Sequence, residues 1–360
     1  MLRFRLGQTF KPHGSNSARR AGKVFAFCRR IAFGKIHAAQ TLFLLIVSSL
    51  APTNEVWAKH SDAVREISFK LYQTHLVIAV GSLGGSEQRN LMIDTGTNPT
   101  MVDDRTAREL GLERLSRSGG SISVVDGSVT TYHSILPTLD LGPIHREALP
   151  VAVTDLSWLR EQIGIQVDAV IGLDVLAQLN FQIDYPSRRI SFGAIRIPRS
   201  AVPMQEADHL MIVQAKLNGE PAKLVVDTGG SSLILFAERL PQSTSWRTLG
   251  ATAKVSNLAG NAELQKVQLK ELRIGETNLS DSIALVGKTS TCCKFQGILG
   301  ISTRKFKRIS FDFRRRLVGL ELQDTNVNVM ESLDAPACKS LFESPVCRTA
   351  AGSLRVIGAR

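Results

Sequence analysis

The chain has 360 residues, of which 43% are hydrophobic, enough for two compact domains with buried cores. Its formal net charge of +12 suggests nucleic-acid binding, but residues 1–58 alone contain nine Lys or Arg against one acidic residue. The rest of the chain is therefore only mildly basic, and it contains no RNA-binding motif or basic, aromatic-rich face. Nucleic acid is not expected to be a partner.

Residues 1–58 have the order of a secretory signal peptide. Basic residues come first, residues 38–51 form an apolar run, and Val56-Trp57-Ala58 places small residues at the −3 and −1 positions of a cleavage site. The run is shorter than the roughly 20 residues that span a bilayer comfortably. We therefore expect an exported protein, periplasmic or secreted. Two alternatives stay open: an uncleaved anchor that tethers the protein to the membrane, and an organellar transit peptide.

The cysteines fit an exported protein, in which disulfides can form. Cys28 lies in the leader, and Cys292, Cys293, Cys338 and Cys347 remain, which allows three pairings. Cys338 with Cys347 would close a short loop in the tail, whereas adjacent Cys292 and Cys293 would strain the backbone if they paired. A zinc site is the alternative, but the spacing matches no common zinc-ligand pattern.

From Ile67 onwards the sequence predicts short strands separated by turns. In the first half, strands are predicted at 75–80, 89–93, 136–141, 148–153, 181–185 and 189–192, with an Asp-Gly hairpin within 121–132 and short helices at 103–112 and 173–179. The same order then returns, with an Asn-Gly hairpin turn at 218–219, a short helical stretch at 237–240 and a hairpin at 253–264.

One motif occurs in both halves. Leu-Met-Ile-Asp-Thr-Gly at 91–96 is answered by Leu-Val-Val-Asp-Thr-Gly at 224–229, so that Asp94 and Asp227 lie 133 positions apart. A lone Asp-Thr-Gly is a weak signal, usually a turn after a strand. Two copies with matching apolar flanks are a strong signal, because a repeated unit can bring two identical carboxylates face to face.

Other landmarks repeat at nearly the same period, which predicts an internal duplication. Gly172 of an Ile-Gly element returns as Gly300, and the hairpin residue Asp184 returns as Asp312, each 128 positions later. Asp184 and Asp312 are interpreted as structural turn carboxylates. The predicted organisation is a leader (1–58), a first lobe (66–200), a second lobe (201–323) and a C-terminal tail (324–360), with residues 193–203 as the linker between the lobes.

The paired aspartates suggest a specific chemistry. Like charges across a pseudo-two-fold axis cannot both ionise when they are close, so Asp94 and Asp227 would share one proton. One carboxylate would act as a base on water while the protonated partner hydrogen-bonds the scissile carbonyl. This is amide hydrolysis without a covalent intermediate, a metal or another cofactor.

The neighbouring residues suit this role. Gly96 and Gly229 carry no side chain, so the two loops can pack backbone to backbone. Thr95 and Thr228 supply hydroxyls that can bond across the axis and hold the carboxylates in plane.

The residue after each motif introduces an asymmetry. Thr97 can hydrogen-bond Asp94, whereas Gly230 has no hydroxyl to offer Asp227. The hypothesis is that Asp227 more often holds the shared proton.

These motifs, together with the hydrophobic-Gly elements and the Phe311 to Leu320 hairpin, resemble the aspartic proteases of the pepsin and retropepsin type. The resemblance covers roughly residues 66–323 and is strongest to bacterial retropepsin-like proteins with two short lobes fused in one chain. It implies a mainly β fold of duplicated acid-protease-like lobes, each a small closed β-barrel-like unit with one or two short helices.

The resemblance also implies an aspartic endopeptidase, active as a monomer, with Asp94 and Asp227 as the catalytic pair and hairpins as flaps over an extended polypeptide. Asn98-Pro99 after the first motif is unusual for the family. The alternative function is a catalytically silent peptide- or partner-binding module of the cell envelope. Both Asp-Thr-Gly triplets are intact, which argues against that alternative. His75 and His209 lie at matching positions and are interpreted as structural, because no Ser-His-Asp or metal-ligand spacing surrounds them.

Overall fold

The computed structural model describes residues 64–115, 120–124, 127–257, 260–288 and 294–323. The predicted leader, the predicted tail and all five cysteines lie outside these residues, as does the tip of the first predicted hairpin at 125–126. The predictions of a signal peptide, of the Cys338–Cys347 disulfide and of the character of the tail therefore stay predictions. Among the described residues, no helix is long and apolar enough to cross a membrane.

The first half of the described chain is β-rich with three short helices. Its elements are β1 (Arg65–Tyr72), β2 (Leu76–Leu83), β3 (Ser86–Ile93), β4 (Met101–Asp103), α1 (Asp104–Glu109), β5 (Gly120–Val124), β6 (Gly127–Leu141), β7 (Ile144–Thr154), α2 (Ser157–Ile163), β8 (Ala169–Ile171), α3 (Leu173–Leu176), β9 (Phe181–Asp184) and β10 (Arg189–Phe192). α1 begins where the Asp103 carboxylate accepts the backbone N–H of Arg105, which caps the first turn. α2 was not predicted.

The second half follows a similar order. Its elements are β11 (Val202–Ala207), β12 (Leu210–Leu217), β13 (Glu220–Asp227), β14 (Leu233–Phe236), one turn of 3-10 helix (Ala237–Arg239), β15 (Arg247–Asn257), β16 (Gly260–Gln268), β17 (Leu272–Ile274), β18 (Thr277–Asn278), β19 (Ile283–Gly287), β20 (Gly297–Gly300), β21 (Phe306–Asp312) and β22 (Leu317–Leu322). Asn218 and Gly219, with φ of 50° and 90°, form the predicted two-residue turn between β12 and β13.

The two motif-bearing strands occupy equivalent positions in their halves. β3 pairs in parallel with β8, and β13 pairs in parallel with β20. Each strand leads into its aspartate through three consecutive apolar, buried residues, because protein covers both faces of the strand there. Leu91, Ile93, Leu224 and Val226 have no exposed surface. Each motif loop therefore directly follows a rigid strand whose end is buried.

An antiparallel sheet of six strands joins the halves, in the order β1, β10, β9, β21, β22, β11. At its centre β9 from the first half pairs with β21 from the second. There the fully buried rings of Phe181 and Phe311 stack with centroids 4.9 Å apart. Val202 pairs with Val318, so the end of the predicted linker belongs to this sheet.

The mainly β class with acid-protease-like halves is confirmed. Strand pairing runs continuously from one half to the other through the shared sheet, and among the strands of the described residues no clear closed barrel stands apart. The first half carries one helix more than the two expected, because α2 fills the connection between β7 and β8.

Candidate active site

The two motif aspartates lie at the ends of equivalent strands. Asp94 directly follows β3, and its backbone N–H donates to the Ile171 carbonyl at 3.1 Å. Asp227 ends β13, and its carbonyl accepts the N–H of Ile301 at 2.9 Å. Each carboxyl group lies against the motif glycine of the opposite half, so the two carboxyl groups are neighbours. Residues that are 133 positions apart in the sequence are thus brought into direct contact.

The motif threonines lock the two loops together. The backbone N–H of Thr95 donates to the Thr228 hydroxyl at 3.0 Å, and the N–H of Thr228 donates to the Thr95 hydroxyl at 3.1 Å. Each hydroxyl then donates across the axis: Thr95 to the Val226 carbonyl at 2.7 Å, and Thr228 to the Ile93 carbonyl at 3.0 Å. Both threonines have no exposed surface.

The motif glycines allow the close approach. A Cβ atom on Gly96 would lie 2.6 Å from Cγ of Asp227, and a Cβ atom on Gly229 would lie 2.6 Å from Cγ of Asp94. Real Cβ atoms do not come so close to other heavy atoms. Each glycine is therefore required by the aspartate of the opposite half.

Hydrogen-bond donors differ between the two carboxyl groups. Asp94 accepts from the Gly96 N–H and from the Thr97 hydroxyl, both at 2.7 Å. Asp227 accepts from the Gly229 N–H at 2.8 Å and also from the Gly230 N–H. Gly230 therefore offers its backbone amide in place of the missing hydroxyl.

The electrostatics of the pair are those of two carboxyl groups that cannot both be charged. Burial raises the pKa of Asp227 well above its usual value, and the negative charge of Asp94 and the hydrogen bond with it raise the pKa further. The amides of Gly229 and Gly230 act in the opposite direction but do not offset this. A raised pKa at Asp227 agrees with the hypothesis that this residue holds the shared proton.

A second layer of contacts fixes the first loop. The Asp174 carboxylate, in the first turn of α3, accepts the Thr100 N–H at 3.0 Å and the Thr100 hydroxyl at 2.7 Å. That hydroxyl also accepts the Gly172 N–H at 3.0 Å. In the second half, the Gly300 N–H instead donates to the Ser232 carbonyl at 3.1 Å. The role of Asp174 could not be predicted from the sequence, because it depends on a loop 74 residues away.

The remaining sequence candidates lie in structural contacts. Asp184 accepts the Ser187 N–H in its hairpin and forms an ion pair with Arg308 across the shared sheet. Asp312 accepts the Arg315 N–H and pairs with the same side chain at 2.6 Å. Both observations agree with a structural interpretation.

The structure also shows the surroundings of Tyr132, the last residue of the first predicted hairpin, and of His75 and His209. The Tyr132 hydroxyl donates to Asp104 at 3.2 Å. His209 is exposed and faces Glu206, whereas His75 is half-buried and directly precedes β2. Among the described residues, no group of His, Cys, Asp and Glu has the arrangement of a metal site.

The comparison with known families agrees with this geometry. An aspartyl protease family model matches residues 79–175 and 213–303, together about half of the chain. Each segment contains one Asp-Thr-Gly triplet and one hydrophobic-Gly element. The chain belongs to the aspartyl protease family.

Among solved structures, the chain is similar to the crystal structure of the aspartic proteinase from Irpex lacteus. The match covers 73% of this chain and 98% of that chain, at 13% sequence identity and a TM-score of 0.44. A search of curated proteins found no match.

Proposed function

We propose that the protein is an aspartic endopeptidase in which Asp94 and Asp227 activate the attacking water. The observation that carries this proposal is the adjacent pair of carboxyl groups on loops cross-bonded by Thr95 and Thr228. A rigid pair with one shared proton supplies a base and an acid at the same place. The family membership supports the reaction class.

The proposed reaction uses only these two groups and water. The Asp94 carboxylate removes a proton from water as the water oxygen bonds to the scissile carbonyl carbon. Asp227 gives its proton to the carbonyl oxygen, which yields a tetrahedral diol. The Asp94 proton then passes to the leaving nitrogen, the C–N bond breaks, and a diol proton returns to Asp227. The products are a carboxylic acid and an amine, and the starting proton distribution is restored.

The environment of Asp227 gives each aspartate its proposed role: Asp227 is the acid, and Asp94 is the base. Asp227 is the member whose environment favours the protonated form. One chain supplies both carboxyl groups, so a monomer suffices. We propose an extended polypeptide as substrate and export as the destination, the latter resting on residues 1–58.

The test is cleavage of a reduced and alkylated protein from acidic to neutral pH. Asp94→Asn and Asp227→Asn should each lower the rate by about 10²- to 10⁴-fold, the range for loss of a general acid or base. Ser231→Ala, beside the second motif and exposed, is the matched control. Cleavage at the wild-type rate by either Asn variant would contradict the proposed catalytic roles of Asp94 and Asp227. Binding of the alkylated protein without cleavage at any pH would instead support the silent binding module.

A further inference from the structure

The six-stranded sheet that joins the halves has an outer face with two rows of mostly polar residues. Residues that pair directly across antiparallel strands lie on the same face of a sheet. One row contains Ser68, Arg189, Asp184, Arg308 and Glu321. The next row contains Glu66, Ser191, Gln182, Ser310 and Gly319. The buried rings of Phe181 and Phe311 project from the opposite face, because side chains alternate along each strand.

The segment that connects the halves lies across this outer face. The Gln182 side-chain amide donates to the Arg196 carbonyl at 3.0 Å, so the backbone of the segment passes over β9. Pro198 lies on β22, because a Cβ atom on Gly319 would be 2.5 Å from the Cδ atom of Pro198. Arg196 and Arg199 are both exposed. Their guanidinium groups therefore lie on the solvent side of the sheet.

Two hairpin turns of the same sheet add further arginines. Arg188 lies in the turn between β9 and β10, and residues 314–316, all arginine, lie in the turn between β21 and β22. Because β9 and β21 are antiparallel, the two turns are at opposite ends of the sheet. Arg308 pairs with Asp184 at the first of these ends, and the chain from Arg308 to Arg314 spans roughly 20 Å. The arginines are thus spread over the whole length of the sheet.

Six of these arginines form no ion pair with any described residue. They are the exposed residues Arg188, Arg189, Arg196, Arg199, Arg314 and Arg316, which we call the arginine face. The nearby carboxylates are paired with other arginines: Arg308 binds Asp184 and Glu321, and Arg315 binds Asp312. Glu66, in the second row, accepts a hydrogen bond from the Ser191 hydroxyl at 2.9 Å. The arginine face therefore carries an excess of positive charge.

The chemistry and the layout of the arginine face fit an anionic membrane. A guanidinium group binds phosphate oxygens through two parallel hydrogen bonds, which the ammonium group of lysine cannot do. Six such groups spread over a sheet suit a flat surface with many phosphates, whereas a single phosphate needs converging side chains. Single-stranded nucleic acid needs aromatic rings on which its bases stack, and the two described rows contain none. Export, proposed from residues 1–58, would also bring the protein to a membrane.

We propose that the arginine face docks the folded protein on a membrane that contains anionic phospholipids. The six guanidinium groups bind lipid phosphates, while the opposite face of the sheet keeps its packing in the core. Attraction to an anionic bilayer grows with each basic residue near its surface, and salt screens it. Docking is therefore reversible and sensitive to salt. This inference goes beyond the proposed endopeptidase function and does not depend on it.

Hydrogen exchange of the full chain on lipid vesicles tests this proposal. Vesicles of phosphatidylglycerol with phosphatidylcholine should slow exchange of the wild-type amides in residues 194–200, and vesicles of phosphatidylcholine alone should not. High salt should abolish the slowing. A face variant with Arg189→Gln, Arg196→Gln and Arg199→Gln should lose most of it, because removing three basic residues weakens adsorption about 100-fold. The control variant loses the same charge at exposed positions elsewhere, through Lys216→Gln, Lys254→Gln and Lys270→Gln, and should behave as wild type.

All three chains keep the same leader, so its own binding to lipid cannot produce a difference between them. Equal slowing in the face and control variants would overturn the proposal, because net charge or the leader would then explain the binding. Wild-type exchange at 194–200 that phosphatidylglycerol leaves unchanged would overturn it too. So would a DNA duplex that slows these amides at a lower phosphate concentration than the vesicles, since the partner would then be nucleic acid.

Discussion

Thr95 and Thr228 are 133 positions apart, yet the hydroxyl of each accepts a hydrogen bond from the backbone N–H of the other. Each hydroxyl also donates to a backbone carbonyl of the strand in the opposite half. Each of these bonds from one threonine has a counterpart from the other. Because both residues are fully buried, water cannot replace a lost partner. The relative position of the two carboxyl groups therefore depends on this pair as much as on the aspartates themselves.

Removing either hydroxyl should weaken the whole fold. Thr95→Val and Thr228→Val keep the shape but leave buried amide and carbonyl groups without partners, which costs about 1–3 kcal/mol per unsatisfied group. Urea denaturation should show this loss of unfolding free energy, together with reduced cleavage. Thr95→Ser and Thr228→Ser keep the hydroxyl and serve as controls. Equal stability of the Val and Ser variants would show that the cross-bonds contribute little.

The motif glycines should be irreplaceable for steric reasons. Gly96→Ala and Gly229→Ala place a methyl group 2.6 Å from the opposite aspartate, so the loops must separate. We expect about 1–3 kcal/mol of destabilisation, the usual range for an overpacked site. The larger effect should be on kcat, because the added methyl group displaces the opposite carboxyl group. Thermal unfolding and steady-state kinetics measure the two effects, with Ser231→Ala as a control. Wild-type kcat in either variant would contradict the packing argument.

The site could be predicted from the sequence because both of its halves carry the same local pattern. Asp94 and Asp227 needed only matching flanks and a constant period to be paired. The contacts that surround these two aspartates could not be predicted. Asp174 supports Thr100 through a loop fold that no spacing encodes, and Gln162 meets Ser256 only because α2 and a hairpin of the other half come together.

The fold shows the same division between local and long-range information. Alternating strands and the Asn-Gly turn at 218–219 were predicted from local chemistry. The pairing of Val202 with Val318 was not, because a proline-flanked segment reads as a linker unless its distant partner strand is known. α2 was missed because it has only seven residues, Ser157–Ile163, and Leu156 at its N-cap position offers no side-chain cap.

Asp227 should reduce the stability of the fold at neutral pH. Its folded-state pKa lies well above the usual 3.8, so the folded protein holds a proton that the unfolded chain has released. Its contribution to stability therefore falls as pH rises from about 3.8 through the raised pKa. Asp227→Asn should raise Tm at neutral pH, and this gain should disappear below the usual pKa, where both states are protonated.

The pKa of Asp184 is shifted in the opposite direction to that of Asp227, so Asp184 provides a comparison. Burial raises its pKa, but hydrogen bonds from Ser187 and Arg308 outweigh burial and lower it. Asp184→Asn should therefore lower Tm at neutral pH, with the loss fading as pH falls through the lowered pKa. If Asp227→Asn and Asp184→Asn shift Tm in the same direction at neutral pH, the electrostatic assignment of the pair is wrong.

His75 should make the fold sensitive to acid. Burial lowers the pKa of His75 from 6.5 to about 4, and its Nδ1 atom has no hydrogen-bond partner among the described residues. Between these values the unfolded chain binds a proton that the folded protein does not. Stability is therefore complete above the usual pKa and is lost as pH falls from about 6.5 towards 4, by at most about 3 kcal/mol.

His75→Gln should remove this part of the pH dependence. Urea unfolding at neutral and acidic pH should show a smaller loss of unfolding free energy for the variant than for wild type. The matched control is His209→Gln at the equivalent turn, because His209 is exposed. It shows how much of any change in slope comes from replacing a histidine by glutamine at an exposed position. If His75→Gln and His209→Gln follow the wild-type slope equally, His75 becomes protonated within the fold at no cost, and the acid sensitivity must come from the carboxyl groups instead.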